Sequence, residues 1–127
     1  MMSCPFCDQD VSLADGVFLE NALVYVREDK FPVSPGHLLV IPRRHAVDWF
    51  DLSADEQAAV ADLINRAKCW LDEQHRPDGY NIGMNCGRAA GQTVMHMHCH
   101  LIPRYHGDVA DPRGGLRGVI PGKQRYD

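Results

Sequence analysis

The alternation of apolar and polar residues predicts several short strands along this chain. Two apolar runs, residues 17–19 and 22–26, are separated by Glu20 and Asn21, a pattern typical of a hairpin with asparagine at its turn. The segment "HLLVIPRRH" (37–45) is dominated by apolar residues and therefore predicts a central strand. Further on, "GYNIGMN" (79–85) and "QTVMHMHCHLIPR" (92–104) predict two more strands.

One clear helix is predicted over residues 51–75. Ser53 followed by Glu56 fits a capping box, in which each side chain binds a backbone amide at the helix start. Apolar residues then recur at helical spacing and form one stripe, which indicates a buried face. The stripe consists of Val60, Leu63, Ile64, Ala67, Trp70 and Leu71.

The order of these elements predicts the fold class. Strands before and after one helix are typical of an α+β protein, with an antiparallel sheet and the helix packed on one face. A length of 127 residues fits a single domain over 1–127. The tail, from about residue 104 to 127, contains five glycines and two prolines and is predicted to be mostly irregular.

Charge and composition argue against two classes of partner. The net charge is −4 and no long basic run occurs, whereas nucleic-acid binding depends on many lysine and arginine contacts to phosphates. A small anionic ligand remains compatible, because backbone amides and a few side chains can hold a phosphate. No apolar run is long enough to span a bilayer, and the N-terminus lacks the pattern of a secretory signal, so we expect no membrane partner and a cytoplasmic location.

Three histidines in "MHMHCHLI" stand at every second position: His96, His98 and His100. On a strand they share one face, and the residues between them, Met97, Cys99 and Leu101, face the core. The outer two histidines are then about 13 Å apart at their Cα atoms, too far for all three to bind one ion at about 2.0–2.1 Å. A nucleophile or general acid/base is the favoured use, with a solvated polar face as the alternative.

Two of the five cysteines, Cys4 and Cys7, form a C-x-x-C motif. Its spacing suits either two zinc ligands or a redox pair, and the residues alone leave both open.

The stretch "GQTVMHMHCHLIPR" resembles the signature of the histidine triad (HIT) superfamily, in which three histidines alternate with apolar residues. Upstream, "PVSPGHLLVIPRRH" matches a second landmark, and "DPRGG" resembles a stretch common in bacterial members. The similarity runs from "CPFC" (4–7) to the second "VIP" (119–121), essentially the whole chain. It implies an HIT-like fold of about five antiparallel strands with one long and one short helix, in a homodimer that acts on small nucleotides.

The resemblance also implies roles for individual catalytic residues. His98 corresponds to the nucleophile that attacks the α-phosphorus, and His100 to the histidine that helps to bind phosphate oxygens. Gln92 and Thr93 correspond to a pair that contacts the phosphate and the leaving group. His37 corresponds to a buried histidine that supports the triad by hydrogen bonding, although a purely structural core histidine is equally compatible.

Three further positions match residues that bind substrate in the family. Asp29 aligns with the residue that binds the ribose hydroxyls, Asn85 with an asparagine near the phosphate, and Phe6 with an aromatic residue of the base pocket. An ordinary loop aspartate and a plain core phenylalanine are the alternatives. Arg27 and Lys30 stand where relatives often have apolar residues near the base, which leaves the base preference open.

For the C-x-x-C motif, the resemblance implies a structural zinc site completed by His45 and His96. A closed Cys₂His₂ set leaves no open position for catalysis, so we expect neither a catalytic metal nor an organic cofactor. Free thiols beside uncommitted histidines are the alternative.

The activity implied is hydrolysis of a nucleoside α-phosphate anhydride or phosphoramidate through a nucleotidyl-histidine. Dinucleoside polyphosphates such as diadenosine tetraphosphate are the first expectation. The alternatives are a nucleotidyltransferase or phosphorylase, a non-catalytic nucleotide-binding module, and metal-dependent hydrolysis with His98 and His100 as ligands.

Overall fold

Four antiparallel strands and one long helix make up the fold, which is described for residues 4–8, 13 and 19–126 in a computed structural model. The strands are β1 (Val24–Glu28), β2 (Leu38–Pro42), β3 (Gly79–Gly83) and β4 (Cys99–Arg104), and the helix is α1 (Ala54–Gln74). The sheet order is β1-β2-β4-β3. Single 3₁₀ helices cover Trp49–Asp51, Arg88–Ala90 and Gly115–Val119. The predicted α+β class is therefore confirmed, with four strands in place of about five.

The predicted hairpin turn forms around Asn21. Its side-chain oxygen accepts hydrogen bonds from the backbone amides of Leu23 and Val24, at 3.0 and 2.9 Å. Glu20 and Tyr25 form an isolated antiparallel β-bridge across the turn. The turn is confirmed, although β1 begins at Val24 and not at residue 22, and residues 17 and 18 of the first predicted strand lie outside the described residues.

Helix α1 begins where the capping box predicts. The Ser53 side chain accepts from the Glu56 amide, and the Glu56 carboxylate accepts from the Ser53 amide. Arg44 also binds Glu56, with Nη2 2.9 Å from the carboxylate, and this contact holds the pKa of Glu56 below its usual range. Of the predicted stripe, four residues are buried and two are half-buried against the core: Val60, Leu63, Ala67 and Leu71, then Ile64 and Trp70.

The two faces of the sheet bury different clusters. One face packs on α1 through residues from three strands and the segment before β4: Val24, Val26, Leu38, Val40, Met97, Cys99 and Leu101. This confirms the predicted core face of the histidine segment. The other face carries a smaller cluster, Phe6, Tyr25, Leu39 and Ile41. Functional side chains are thus positioned on the face away from the helix.

The histidine strand is shorter than the pattern predicts. β4 begins at Cys99, so His96 and His98 precede it in irregular backbone, and only His100 lies on the strand. Two hydrogen bonds hold this segment outside the sheet ladder: the Met97 amide donates to the Ala46 carbonyl at 2.7 Å, and His98 Nδ1 lies 2.8 Å from the His96 carbonyl oxygen. Similarly, β2 ends at Pro42 and β3 at Gly83, before the predicted ends at residues 45 and 85.

After β4 the described chain is irregular except for the short helix at Gly115–Val119. Within the described ranges, no helix combines the length and the apolar character that crossing a bilayer requires.

Candidate functional site

A cavity of about 450 Å³ opens on the sheet face away from α1. It is lined by seven of the eight predicted catalytic and substrate-binding residues: Phe6, Asp29, His37, Asn85, Thr93, His98 and His100. We call this space the histidine cavity. A larger one, about 640 Å³, lies between the C-terminal tail and β4, but none of the histidines lines it. The histidine cavity is therefore the candidate site, because it brings His98 and His100 together with most of the other predicted residues.

The orientation of the His98 ring is set by a backbone carbonyl. His98 Nδ1 lies 2.8 Å from the His96 oxygen, and a carbonyl can only accept, so Nδ1 carries the ring proton. The other ring nitrogen, Nε2, is then an unprotonated lone pair in the neutral imidazole. The Phe6 ring packs against His98 with centroids 4.8 Å apart. His98 therefore presents a nucleophilic nitrogen without prior deprotonation.

A relay of hydrogen bonds fixes His37 and His100 in the same way. The Val33 amide donates to His37 Nδ1 at 3.1 Å, so the proton of His37 sits on Nε2. His37 Nε2 lies 2.9 Å from His100 Nδ1 and donates to it. His100 must then carry its own proton on Nε2. The relay leaves His100 with an N–H donor that no other described residue binds in this arrangement.

Burial keeps both of these histidines neutral near pH 7. For His37, burial lowers the pKa, and the nearby Asp29 carboxylate opposes the shift. For His100, burial and then the neighbouring histidines lower the pKa to about 4. Asp29 Oδ2 lies 3.4 Å from His37 Nε2 and 3.8 Å from His100 Nδ1. Both rings therefore act through oriented N–H groups and not through full positive charges.

The predicted substrate-binding residues lie around the same cavity. Asp29 is half-buried, and its Oδ1 accepts from the Phe31 amide at 2.8 Å, which orients the carboxylate beside the histidines. Asn85 and Thr93 are exposed and line the cavity mouth. These positions come together from two connections, the one after β1 and the one between β3 and β4.

Gln92 is placed differently from the other predicted residues. It is buried and does not line the histidine cavity. Its Oε1 accepts from the Gly87 amide at 2.8 Å, while Nε2 donates to the carbonyls of Val47 and Val94 at 2.6 and 3.1 Å. Its side chain holds the loop that carries Thr93, so a direct contact with phosphate remains a prediction that this geometry does not favour.

Several cavity residues have no sequence signal of their own. Leu39 forms part of the floor, and Val33, Phe31 and Val94 line the walls. Leu39 alternates with the core residue Leu38 on β2, so its outward face is implied once the strand is assigned. Phe31, in the loop after Asp29, is an exposed aromatic residue that lines the cavity.

A second cluster joins the C-x-x-C motif to two histidines. The donor atoms of Cys4, Cys7, His45 and His96 all lie within 4.8 Å of one another. Individual separations are 3.3 Å from Cys4 Sγ to His96 Nδ1, 3.2 Å from Cys7 Sγ to His45 Nδ1, and 3.2 Å between the two Nδ1 atoms. Tetrahedral zinc, with bonds of about 2.0–2.3 Å, puts its ligand atoms roughly 3.3–3.8 Å apart.

Proton placement in this cluster also suits a metal. His96 Nε2 lies 2.8 Å from the Pro42 carbonyl oxygen and donates to it, which leaves Nδ1 as a lone pair directed at the thiols. The Cys4–Cys7 turn is held to the sheet by the Tyr25 hydroxyl, which donates to Phe6, and by Arg27, which donates to Pro5. The cluster therefore fits a closed zinc site of two thiolates and two imidazoles.

Comparisons with known proteins identify the family of this chain. The HIT domain profile matches residues 12–107. The adenosine 5′-monophosphoramidase of Schizosaccharomyces pombe is 38% identical over 104 residues, which cover 81% of this chain and 75% of that protein. The AP-4-A phosphorylase of Mycobacterium tuberculosis is 36% identical over 94 residues, 73% of this chain but only 48% of that protein, so the chain spans about half its length.

Among solved structures, a zinc-bound histidine triad family protein from Mycobacterium smegmatis superposes with a TM-score of 0.72 at 37% identity. The match covers 87% of this chain and 81% of that one. Sequence profile, relatives and fold all indicate the same family. The chain belongs to the HIT domain family of nucleotide-processing proteins.

Proposed function

We propose that the protein hydrolyses nucleoside α-phosphate anhydrides or phosphoramidates and releases a nucleoside monophosphate. The observation that carries this proposal is the orientation of the His98 ring. Its proton is held on Nδ1 by the His96 carbonyl, so Nε2 has a lone pair that can attack phosphorus. Dinucleoside polyphosphates such as diadenosine tetraphosphate remain the first substrate class to test, followed by nucleoside phosphoramidates. The names of the phosphorylase and phosphoramidase relatives support both classes.

In the first step, His98 Nε2 attacks the α-phosphorus. An N–P bond forms while the bond from phosphorus to the leaving group breaks, and the leaving group departs with that electron pair. A phosphate group leaves as its anion, whereas an amine takes up a proton from solvent as it leaves. The ring becomes positively charged, and its Nδ1–H remains bonded to the His96 carbonyl, which stabilises the charge. In the second step, water attacks phosphorus and the N–P bond breaks with its electron pair returning to Nε2. The proton that water loses passes to solvent, so that the monophosphate leaves and the ring is neutral again.

Other cavity residues bind the charge that moves during these steps. The free Nε2–H of His100 donates to a phosphate oxygen, in the position that the relay from His37 fixes. Thr93 and Asn85 at the mouth supply further donors for phosphate or leaving group. Asp29 binds the ribose hydroxyls, since its carboxylate can accept from both.

Zinc has a structural part in this proposal. When bound by Cys4, Cys7, His45 and His96, it cross-links the N-terminal segment to the backbone that precedes β4. Because the N-terminal segment carries Phe6, the zinc ligands hold one wall of the histidine cavity against His98.

We also propose that the protein forms a homodimer. The edge strand β3 and the exposed Ile82 on it support this proposal, and sedimentation velocity tests it.

Comparing the reaction products formed with and without added inorganic phosphate distinguishes a hydrolase from a phosphorylase. With diadenosine tetraphosphate in ¹⁸O-water, we expect AMP that carries one ¹⁸O, because water resolves the nucleotidyl-histidine. Added inorganic phosphate should leave that product unchanged. Formation of ADP in proportion to phosphate, without labelled AMP, would show that phosphate resolves the intermediate and that the hydrolase assignment is wrong.

A further inference from the structure

One row of paired residues forms the floor of the histidine cavity. Across β1, β2 and β4, Arg27 pairs with Leu39, and Leu39 pairs with His100. All three line the cavity. Neighbouring strands are about 4.8 Å apart, so Arg27 lies about 9.6 Å from His100 at the backbone, with an apolar residue between them. The floor therefore has a phosphate-binding end at His100 and a cationic end at Arg27.

Arg27 is buried, with 6% of its surface exposed, yet it carries a full charge. Its Nη1 donates to the Pro5 carbonyl at 3.1 Å, and the guanidinium lies over the Phe6 ring at 5.5 Å. Its side chain also hydrogen-bonds with the Tyr25 hydroxyl, and it lines the histidine cavity. A guanidinium has five N–H groups, and its charge at this end of the cavity favours an acceptor on the bound ligand.

The ligand itself supplies that acceptor when its phosphate lies beside His98. The base then extends over Leu39, in reach of Phe6, and its edge meets Arg27. We propose that Arg27 makes the site selective for guanine over adenine, an inference that rests on the phosphate position in the proposed function. Lys30, at the cavity wall, adds a second donor at the same end.

The two purines differ at the edge that such a donor meets. Guanine presents two acceptors, O6 and N7, which match the paired N–H groups of a guanidinium. Adenine presents N7 beside an amino group at N6, so one guanidinium donor would face another donor. A bidentate pair of this kind discriminates between bases by about five- to 150-fold.

Calorimetric binding of three monophosphates tests this inference without any turnover. We expect GMP and IMP to bind at least about fivefold more tightly than AMP, because IMP keeps O6 and N7 but lacks the guanine 2-amino group. In Arg27→Met the ratio of GMP to AMP affinity should fall to near one, with an intermediate value in Arg27→Lys. Arg43→Met is the matched control, since Arg43 lies over the Tyr25 ring but does not line the cavity, and its ratio should equal that of the wild type.

The ratio separates recognition from a structural role. If Arg27 only anchors the N-terminal segment, Arg27→Met weakens GMP and AMP equally, and the inference is overturned. The inference is also overturned if the wild type binds AMP as tightly as GMP or more tightly, or if it binds none of the three monophosphates. A GMP preference that depends on Arg27 in a protein that hydrolyses no nucleotide supports the inference and rejects the proposed function. Nucleotide hydrolysis without a GMP preference supports the proposed function and rejects the inference.

Discussion

A His98→Ala variant should lose at least about 1,000-fold in kcat, because removing a covalent nucleophile eliminates the two-step route and not merely one contact. Nucleotide binding should change little. Most of the cavity surface belongs to other residues, and the His100 donor is held by His37 and not by His98. Steady-state kinetics and calorimetry on the same preparation measure both effects.

His106→Ala is the matched control for that variant. The side chain of His106 is 91% exposed, and it lies outside the histidine cavity, so its removal should leave kcat and affinity unchanged. If His98→Ala retained wild-type kcat, the nucleophile assignment would be wrong. Loss of binding together with turnover would indicate that His98 holds the cavity open, which also contradicts the assignment.

Removing one ligand of the Cys/His cluster should destabilise the protein much more than it slows catalysis. We expect Cys4→Ser to lower the unfolding midpoint by about 10 °C or more, because a structural zinc contributes several kcal/mol to folding. Below that midpoint, kcat should change far less than in His98→Ala, since the cluster touches no reacting atom in the proposed mechanism. Metal analysis should find about one zinc per chain in the wild type and little in the variant.

Cys69→Ser is the control for this prediction. Cys69 is an exposed cysteine on α1 and belongs to no such cluster among the described residues, so its replacement should change neither zinc content nor midpoint. Wild-type protein without zinc after careful purification would reject the metal site. Complete chelation that abolishes turnover in still-folded protein would instead favour metal-dependent hydrolysis.

Local rules predict the parts of the fold that depend on neighbours in sequence. The capping box at Ser53 and the asparagine turn at residue 21 form as expected, because both consist of side chains bonding to backbone two or three residues away. Alternation also places Met97, Cys99 and Leu101 in the core correctly, since the side chains keep alternating even where the strand has not yet begun.

The site depends on contacts that alternation cannot show. His96 turns into the interior, where it bonds to the Pro42 carbonyl and faces Cys4, and this diverts the backbone before β4. Gln92 looks like a phosphate ligand in the sequence but is satisfied by three backbone groups. The position of Arg27 at the end of the cavity floor depends on the pairing of β1 with β2, a long-range register.

The proposed mechanism requires a bond between phosphorus and His98, and chemical trapping detects that bond. Wild-type protein mixed with α-labelled dinucleoside tetraphosphate and quenched in the steady state should carry label that is acid-labile, stable in base, and located on the peptide containing residue 98. His106→Ala should trap the same amount, and His98→Ala none. Product formation at the wild-type rate with no trapped label, or label at a different residue, would contradict the account.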